Sequence, residues 1–232
     1  MKYFLINEHL PTEMRTALSA YGETIPLPAW RALKFPVCAH PDMLIAKIGR
    51  SLLIHEEYRE GRAILDRLGA PYLLSHSPVG EDYPQDVRLN CLSAETYFLS
   101  NEKYISREAL ALADKQGLRR IHVKQGYAKC SCVCAQNAIA TMDRGIATAA
   151  RLAGLEVLLM EPSVIGIEAY DTGFIGGASV PLDEHTLGFF GRIEDFEGYP
   201  ALAEFFAVRG VRPVSLGKTP LFDYGGAVDI EI

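Results

Sequence analysis

Residues 222–230 read FDYGGAVDI, and what this stretch pairs with decides the fold. An aspartate and a glycine pair lead into Ala227, Val228 and Ile230, a short apolar run of strand character. The run follows the last helix-containing unit of the chain and has no such unit after it. It is therefore a strand in search of a partner, and the partner has to be found upstream.

Upstream, the chain is a repeat. Five times a strand-like segment is followed by an amphipathic helix, a glycine and a second strand-like segment. The units are YFLIN–PTEMRTALSAYG–ETIPL, SLLI–HEEYREGRAILDRLG–APYLL, TYFLS–SREALALADKQG–LRRIHV, AIAT–MDRGIATAARLAG–LEVLLM and LGFF–DFEGYPALAEFFAVRG–VRPVSL. Met14, Ala17, Leu18 and Tyr21 fall on one helical stripe, as do Leu202, Phe205, Phe206 and the stem of Arg209. Ser106 and Asp143 stand where N-caps belong, and Gly22, Gly69, Gly117, Gly154 and Gly210 each stand just past a helix, where a left-handed residue closes the last turn. Every unit from the second onward is preceded by one more segment: PDMLIAK, DVRLNCL, KCSCVCA and DTGFIGGA. The first unit lacks one, and FDYGGAVDI supplies it. The expected architecture is a closed, pseudo-symmetric α/β propeller of five strand–strand–helix–strand modules, one domain over residues 1–232, sealed by pairing of the last strand with the first.

The arrangement resembles the guanidino-group-modifying superfamily of arginine deiminases, dimethylargininases and amidinotransferases. VKQGYAKCSCVC (123–134), YDTGFIGGAS (170–179) and FDYGG (222–226) are similar to an uncharacterised bacterial branch assigned to that fold. The resemblance implies a hydrolase-like chemistry in which a cysteine thiolate attacks a guanidinium carbon, a histidine moves protons and carboxylates hold the cationic head. The residues depart from that pattern. Where agmatine deiminases carry the nucleophile after a glycine-rich run, Gly225–Gly226–Ala227–Val228–Asp229 leads to Ile230. Where an H-L-D motif is usual, Ala169–Tyr170–Asp171 keeps the aspartate and lacks the histidine, and an arginine–aspartate pair of the deiminases is matched by Leu89 and Asn90.

Three of the five cysteines lie in KCSCVCAQ (129–136). Read as one strand, Cys130, Cys132 and Cys134 share a face and fill a crowded centre. A reactive thiol at the mouth of that strand would be Cys130. A straight strand spaces three thiols too widely to grip one ion, and neither a metal nor a cofactor is expected. Cys91 could approach this strand; Cys38 has no such argument. Laid over one another, the inner segments are headed by Asp42, Asp86, Lys129, Asp171 and Asp223. Rotation about an axis would bring these carboxylates to one entrance, suited to a guanidinium or amine through charge-assisted hydrogen bonds. Taken singly, each aspartate also fits a turn before a strand. Glu168 and Tyr170 beside Asp171, and Asn90 and Lys124 near inner strands, are further polar candidates; His185, in a long PLDEHTLG loop after the glycine pair, is the histidine considered as proton carrier. The glycines of GFIGGAS would cradle a phosphate only if they opened a helix, and close approach of backbones explains them more simply.

The composition bounds the partners. The 232 residues are 49% apolar and 22% charged, with a net charge of −6. That balance disfavours nucleic acid. The longest apolar stretches stop short of a membrane span, the N-terminus lacks a cleavage pattern, and an odd number of cysteines not spread as a disulfide frame fits a reduced, cytoplasmic protein. Three functions stay open: binding of a small cationic molecule at an axial pocket without the Cys/His chemistry, thiol-dependent hydrolysis of C–N bonds in guanidines or amidines, and a ribosome-type macromolecular role. Oligomeric state is not legible.

Overall fold

A computed structural model describes residues 1–232. In chain order the elements are β1 (Lys2–Asn7), α1 (Thr12–Ser19) and β2 (Glu23–Leu27); then α2 (Pro41–Leu44), β3 (Ile45–Ile48), β4 (Ser51–His55), α3 (Arg59–Leu68) and β5 (Tyr72–Ser75). Next come β6 (Leu92–Ser93), β7 (Tyr97–Ser100), α4 (Arg107–Lys115) and β8 (Arg119–His122), followed by β9 (Cys132–Ala135), β10 (Ala138–Thr141), α5 (Arg144–Leu152) and β11 (Glu156–Leu159). The chain finishes with β12 (Ser179–Asp183), β13 (Thr186–Phe189), α6 (Tyr199–Ala207), β14 (Arg212–Ser215) and β15 (Ala227–Glu231). They make five separate three-stranded sheets. In each, a middle strand pairs in parallel with the strand that follows its helix and antiparallel with an inner strand. A parallel neighbour needs a crossover, which is why each helix lies between those two strands.

The C-terminal segment finds its partner at the other end of the chain. β15 runs antiparallel to β1, with Lys2 opposite Glu231 and Ile6 opposite Ala227. Phe222–Gly226 does a different job: it is held by Gly166 and Gly177, through Asp223 N to Gly166 O at 2.7 Å and Gly226 N to Gly177 O at 2.7 Å.

Middle strands are almost wholly buried: all four residues of β7, β10 and β13 are, and only Lys2 and Tyr3 of β1 and Ser51 of β4 are half-buried. The reason is that both strand faces meet core. Alternate side chains of β1 enter different clusters: Phe4 and Ile6 pack with Val180, Leu182 and Phe190 of the fifth unit, whereas Leu5 packs with Met43, Ile54 and Tyr58 of the second. The same alternation sends Leu53 one way and Leu52 and Ile54 the other. Period-two geometry turned into two cores is what makes these strands read as continuous apolar runs. Each of the five clusters joins at least two units, and one joins the fifth to the first.

Local signals behave as their chemistry requires, with three corrections. Ser106 and Asp143 cap α4 and α5 by accepting from Ala109 N and Ile146 N. Gly69 closes α3 at φ 69°, but Gly22 has no left-handed φ and is there because a Cβ would lie 2.7 Å from Lys2 O. The cysteine stretch is not one strand. β9 starts at Cys132, and Cys130 lies in the turn before it and packs in a different core from Cys132, because Ser131 N and Cys132 N bond back to Tyr127 O and Lys129 O. Finally, PLDEHTLG is a hairpin rather than a long loop: β12 and β13 are joined by Glu184 and His185 alone.

Candidate functional site

The starts of the inner strands bring together His40, Asp42, Asn90, Lys129, Cys130 and Asp223. Asn90 organises them. Its side chain is completely buried. The amide oxygen accepts from Lys129 N at 2.8 Å, and the amide nitrogen donates to Asp42 O at 3.2 Å and lies 2.9 Å from Cys130 Sγ. The Cys130 thiol donates to Asp42 Oδ2 at 2.9 Å. Asp42 itself sits in the first turn of α2, its own N–H bonded to Gly225 O. Its second oxygen, Oδ1, is buried and has no hydrogen-bond partner.

Asp223 is fastened more completely. Oδ2 accepts from Phe174 N at 2.8 Å and Oδ1 from Gly225 N at 2.9 Å. His40 Nδ1 lies 3.7 Å from Oδ1, both side chains being nearly inaccessible. The glycine pairs allow this approach. A Cβ on Gly177 would fall 1.9 Å from Asp223 Oδ1, and one on Gly176 would meet the carbonyls of Lys129, Cys130 and Cys132 within 2.5 Å. GFIGGAS leads into β12 rather than a helix, so it is a packing device and not a phosphate loop.

Burial dominates the electrostatics. It pushes the Asp42 carboxyl up to about 7, against the pull of Lys129 and with the repulsion of Asp223. Asp223 is also raised by burial, partly offset by His40. Burial lowers His40, against the pull of Asp223. Cys130 is driven well above the ordinary thiol range by burial and then by Asp42 and Asp223. Reactive thiolates need an electropositive setting. Here two carboxylates face the sulfur, and the thiol serves as a hydrogen-bond donor.

A cavity of about 1080 Å³ opens from this cluster toward the inner hairpins. All five inner strands line it, through Lys47, Leu92, Cys134, Pro181 and Asp229 among others, and Asp42 and Lys129 reach it from the strand starts. Lys47 and Asp229 pair across two sheets at 2.8 Å. The ammonium of Lys129 has no carboxylate within 4.0 Å.

The remaining candidates are dispersed. Asp86 is buried but bonds Tyr127, whose phenol donates to Oδ2 at 2.5 Å. Glu168, Tyr170 and Asp171 lie exposed in the loop before β12 and make no hydrogen bond to the cluster. His185 is exposed at the hairpin and lines the outer part of the cavity. Thus the expected ring of four aspartates resolves into Asp42 and Asp223 together, Asp86 beside a tyrosine, and Asp171 in solvent. The modules differ in the loops that precede their inner strands, and a common position in the repeat does not impose a common side-chain direction. His40 is the residue that sequence reasoning passed over. Its signal was available: it stands two residues before Asp42, and Pro41 between them marks the first turn of a helix. No group of three or more His, Cys, Asp and Glu side chains has metal-holding geometry. No helix is long and apolar enough to cross a membrane.

Solved structures place the fold. The chain is similar to a dimethylargininase (DDAH) from Pseudomonas aeruginosa, a cysteine-to-serine mutant complexed with citrulline, at 14% identity over 99% of this chain and 93% of that one, with a TM-score of 0.54. A dimethylarginine dimethylaminohydrolase carrying a histidine-to-glycine change, as an adduct with S-methyl-L-thiocitrulline, matches at 14% identity over 98% and 93% of the two chains with a TM-score of 0.55. Another, as an adduct with 4-chloro-2-hydroxymethylpyridine, matches at 14% identity over 93% and 92% with a TM-score of 0.51. The fold is that of the guanidino-modifying enzymes. No curated protein matches the sequence. A family profile does, over residues 5–228, and the chain belongs to that family, a family of unknown function (DUF6873).

Proposed function

We propose that the five sheets are the blades of one closed wheel, a single domain, and that its axial cavity binds a small guanidino or amine cation without the Cys/His chemistry of the superfamily. Two findings support the wheel. The β1–β15 pair joins the chain's ends, and a core cluster joins the fifth unit to the first. The observation that carries the binding reading is Asp42, a buried carboxylate beside the cavity with one oxygen bonded by a thiol and the other unpartnered. A buried charged acceptor without a donor is costly, and a ligand N–H restores the missing bond.

The experiment is calorimetric titration with guanidinium, agmatine and arginine. Binding should be lost in Asp42→Asn, and its affinity should fall about tenfold per pH unit below pH 7, because a proton and the cation compete for one carboxylate. Affinity unchanged by the substitution sinks the proposal.

A second reading rests on Cys130, the thiol held between Asp42 and Asn90. With its proton passed to Asp42 Oδ2, the thiolate attacks the carbon of a guanidinium or amidinium; the adduct expels an amine, which takes that proton from Asp42, and water then cleaves the thiouronium or thioimidate to the ureido or amide product and the free thiol. Release of ammonia or amine that disappears in Cys130→Ser would establish that reading in place of simple binding.

A further inference from the structure

We propose that Asp86 and the tyrosines around it bind an alkylated ammonium group at a site separate from the axial cavity. Asp86 is 4% exposed, its Oδ2 is taken by the Tyr127 phenol, and its Oδ1 is buried without a partner. None of the other residues of this loop cluster donates a hydrogen bond to that oxygen. Aromatic rings are there instead. Tyr127 packs against Tyr83 and Phe174, with ring centroids 5.8 Å and 5.7 Å away, and Tyr104 meets Tyr83 nearly edge-on at 5.5 Å and 79°.

The chemistry of this set selects its ligand. A guanidinium or primary ammonium carries several N–H donors and needs several acceptors. Here one acceptor, Asp86 Oδ1, is free, and the Tyr127 ring bonded to the same carboxylate is packed with Tyr83 and Phe174. A methylated ammonium has few or no N–H groups; it is held by charge and by ring faces within about 6 Å. Charge on the rim favours the same sign of ligand. Glu81 and Asp82 precede Tyr83, with Lys34 bonded to Asp82 at 3.2 Å. Arg88 is committed to the backbone, donating to Pro78 O and Tyr104 O, and so braces the loop rather than competing for Asp86. Tyr83, 47% exposed, is the ring of this set that is open to solvent. Neither Asp86 nor any of these rings lines the axial cavity.

The test is titration of the full chain with tetramethylammonium and choline at constant ionic strength, with the neutral isostere 3,3-dimethylbutanol as comparison. Wild-type protein should bind both cations saturably and the isostere at least about tenfold more weakly. Asp86→Asn and Tyr83→Leu should each weaken the cations about tenfold, Tyr83→Phe should retain them, and Asp42→Asn should leave them unchanged. Absence of saturable binding, equal binding of the isostere, or loss in Tyr83→Phe as large as in Tyr83→Leu overturns the proposal. Dependence on Asp42 rather than Asp86 overturns it too, while leaving the axial-cavity reading standing.

Discussion

Replacing Asp42 by asparagine should flatten the dependence of stability on pH. Burial raises this carboxyl from 3.8 to about 7 in the folded protein. Between those values the unfolded chain has released the proton and the native protein still holds it. The native state then binds more protons than the unfolded state, so stability falls as pH rises. Some three pH units at 1.36 kcal/mol each amount to roughly 4 kcal/mol by pH 8. Asparagine keeps the shape and has no such proton to lose. At pH 5, where Asp42 is neutral in the folded protein, the variant should differ from wild type by about 1 kcal/mol, the scale of one altered hydrogen bond. At pH 8 it should be the more stable protein by a few kcal/mol. His40 acts in the opposite direction: with its pKa lowered by burial, it withdraws stability as pH falls through the ordinary histidine range. It is present in both proteins and drops out of their difference. Urea unfolding from pH 5 to 8, followed by the single, buried Trp30, measures both profiles. Parallel profiles would show that Asp42 titrates like a solvated carboxylate, and the site's electrostatics as argued above would be wrong.

Three further outcomes rest on close packing and burial. Gly177→Ala should destabilise by about 2–4 kcal/mol, since its methyl group collides with Asp223, which two backbone N–H groups prevent from moving away; Gly69→Ala, with open space and only a left-handed φ to pay, should cost about 1 kcal/mol in the same urea assay. Thiol alkylation of native protein at pH 8 should reach Cys91, Cys130 and Cys132 only through unfolding, because all three are buried and their thiols are raised, Cys91 and Cys132 to about 12. Mass mapping checks it, and rapid native labelling of Cys130 would contradict the protonated thiol described above.

The repeat, its helix caps and the pairing of chain ends were legible in the residues because each rests on local periodicity or on a count of strands. Met14 and Leu18 share a stripe and are buried, Ser106 and Asp143 cap their helices, and Ala227–Glu231 completes the sheet of Lys2–Asn7. Asp42, Lys129 and Asp223 were legible as heads of inner segments, Asn90 as a polar residue near one of them and Cys130 as the thiol at the mouth of another. What tertiary structure alone decided is which of them meet. Cys130 left the strand of Cys132 because a turn bonded to Tyr127 and Lys129 carries it elsewhere. Asp86 went to a tyrosine, Asp171 to solvent, and His40 entered the cluster unannounced. Position along a repeat is set by hydrogen bonding between neighbours in sequence, whereas the direction of a side chain at a loop is set by contacts between residues tens or hundreds of positions apart, and a single sequence carries the first and not the second.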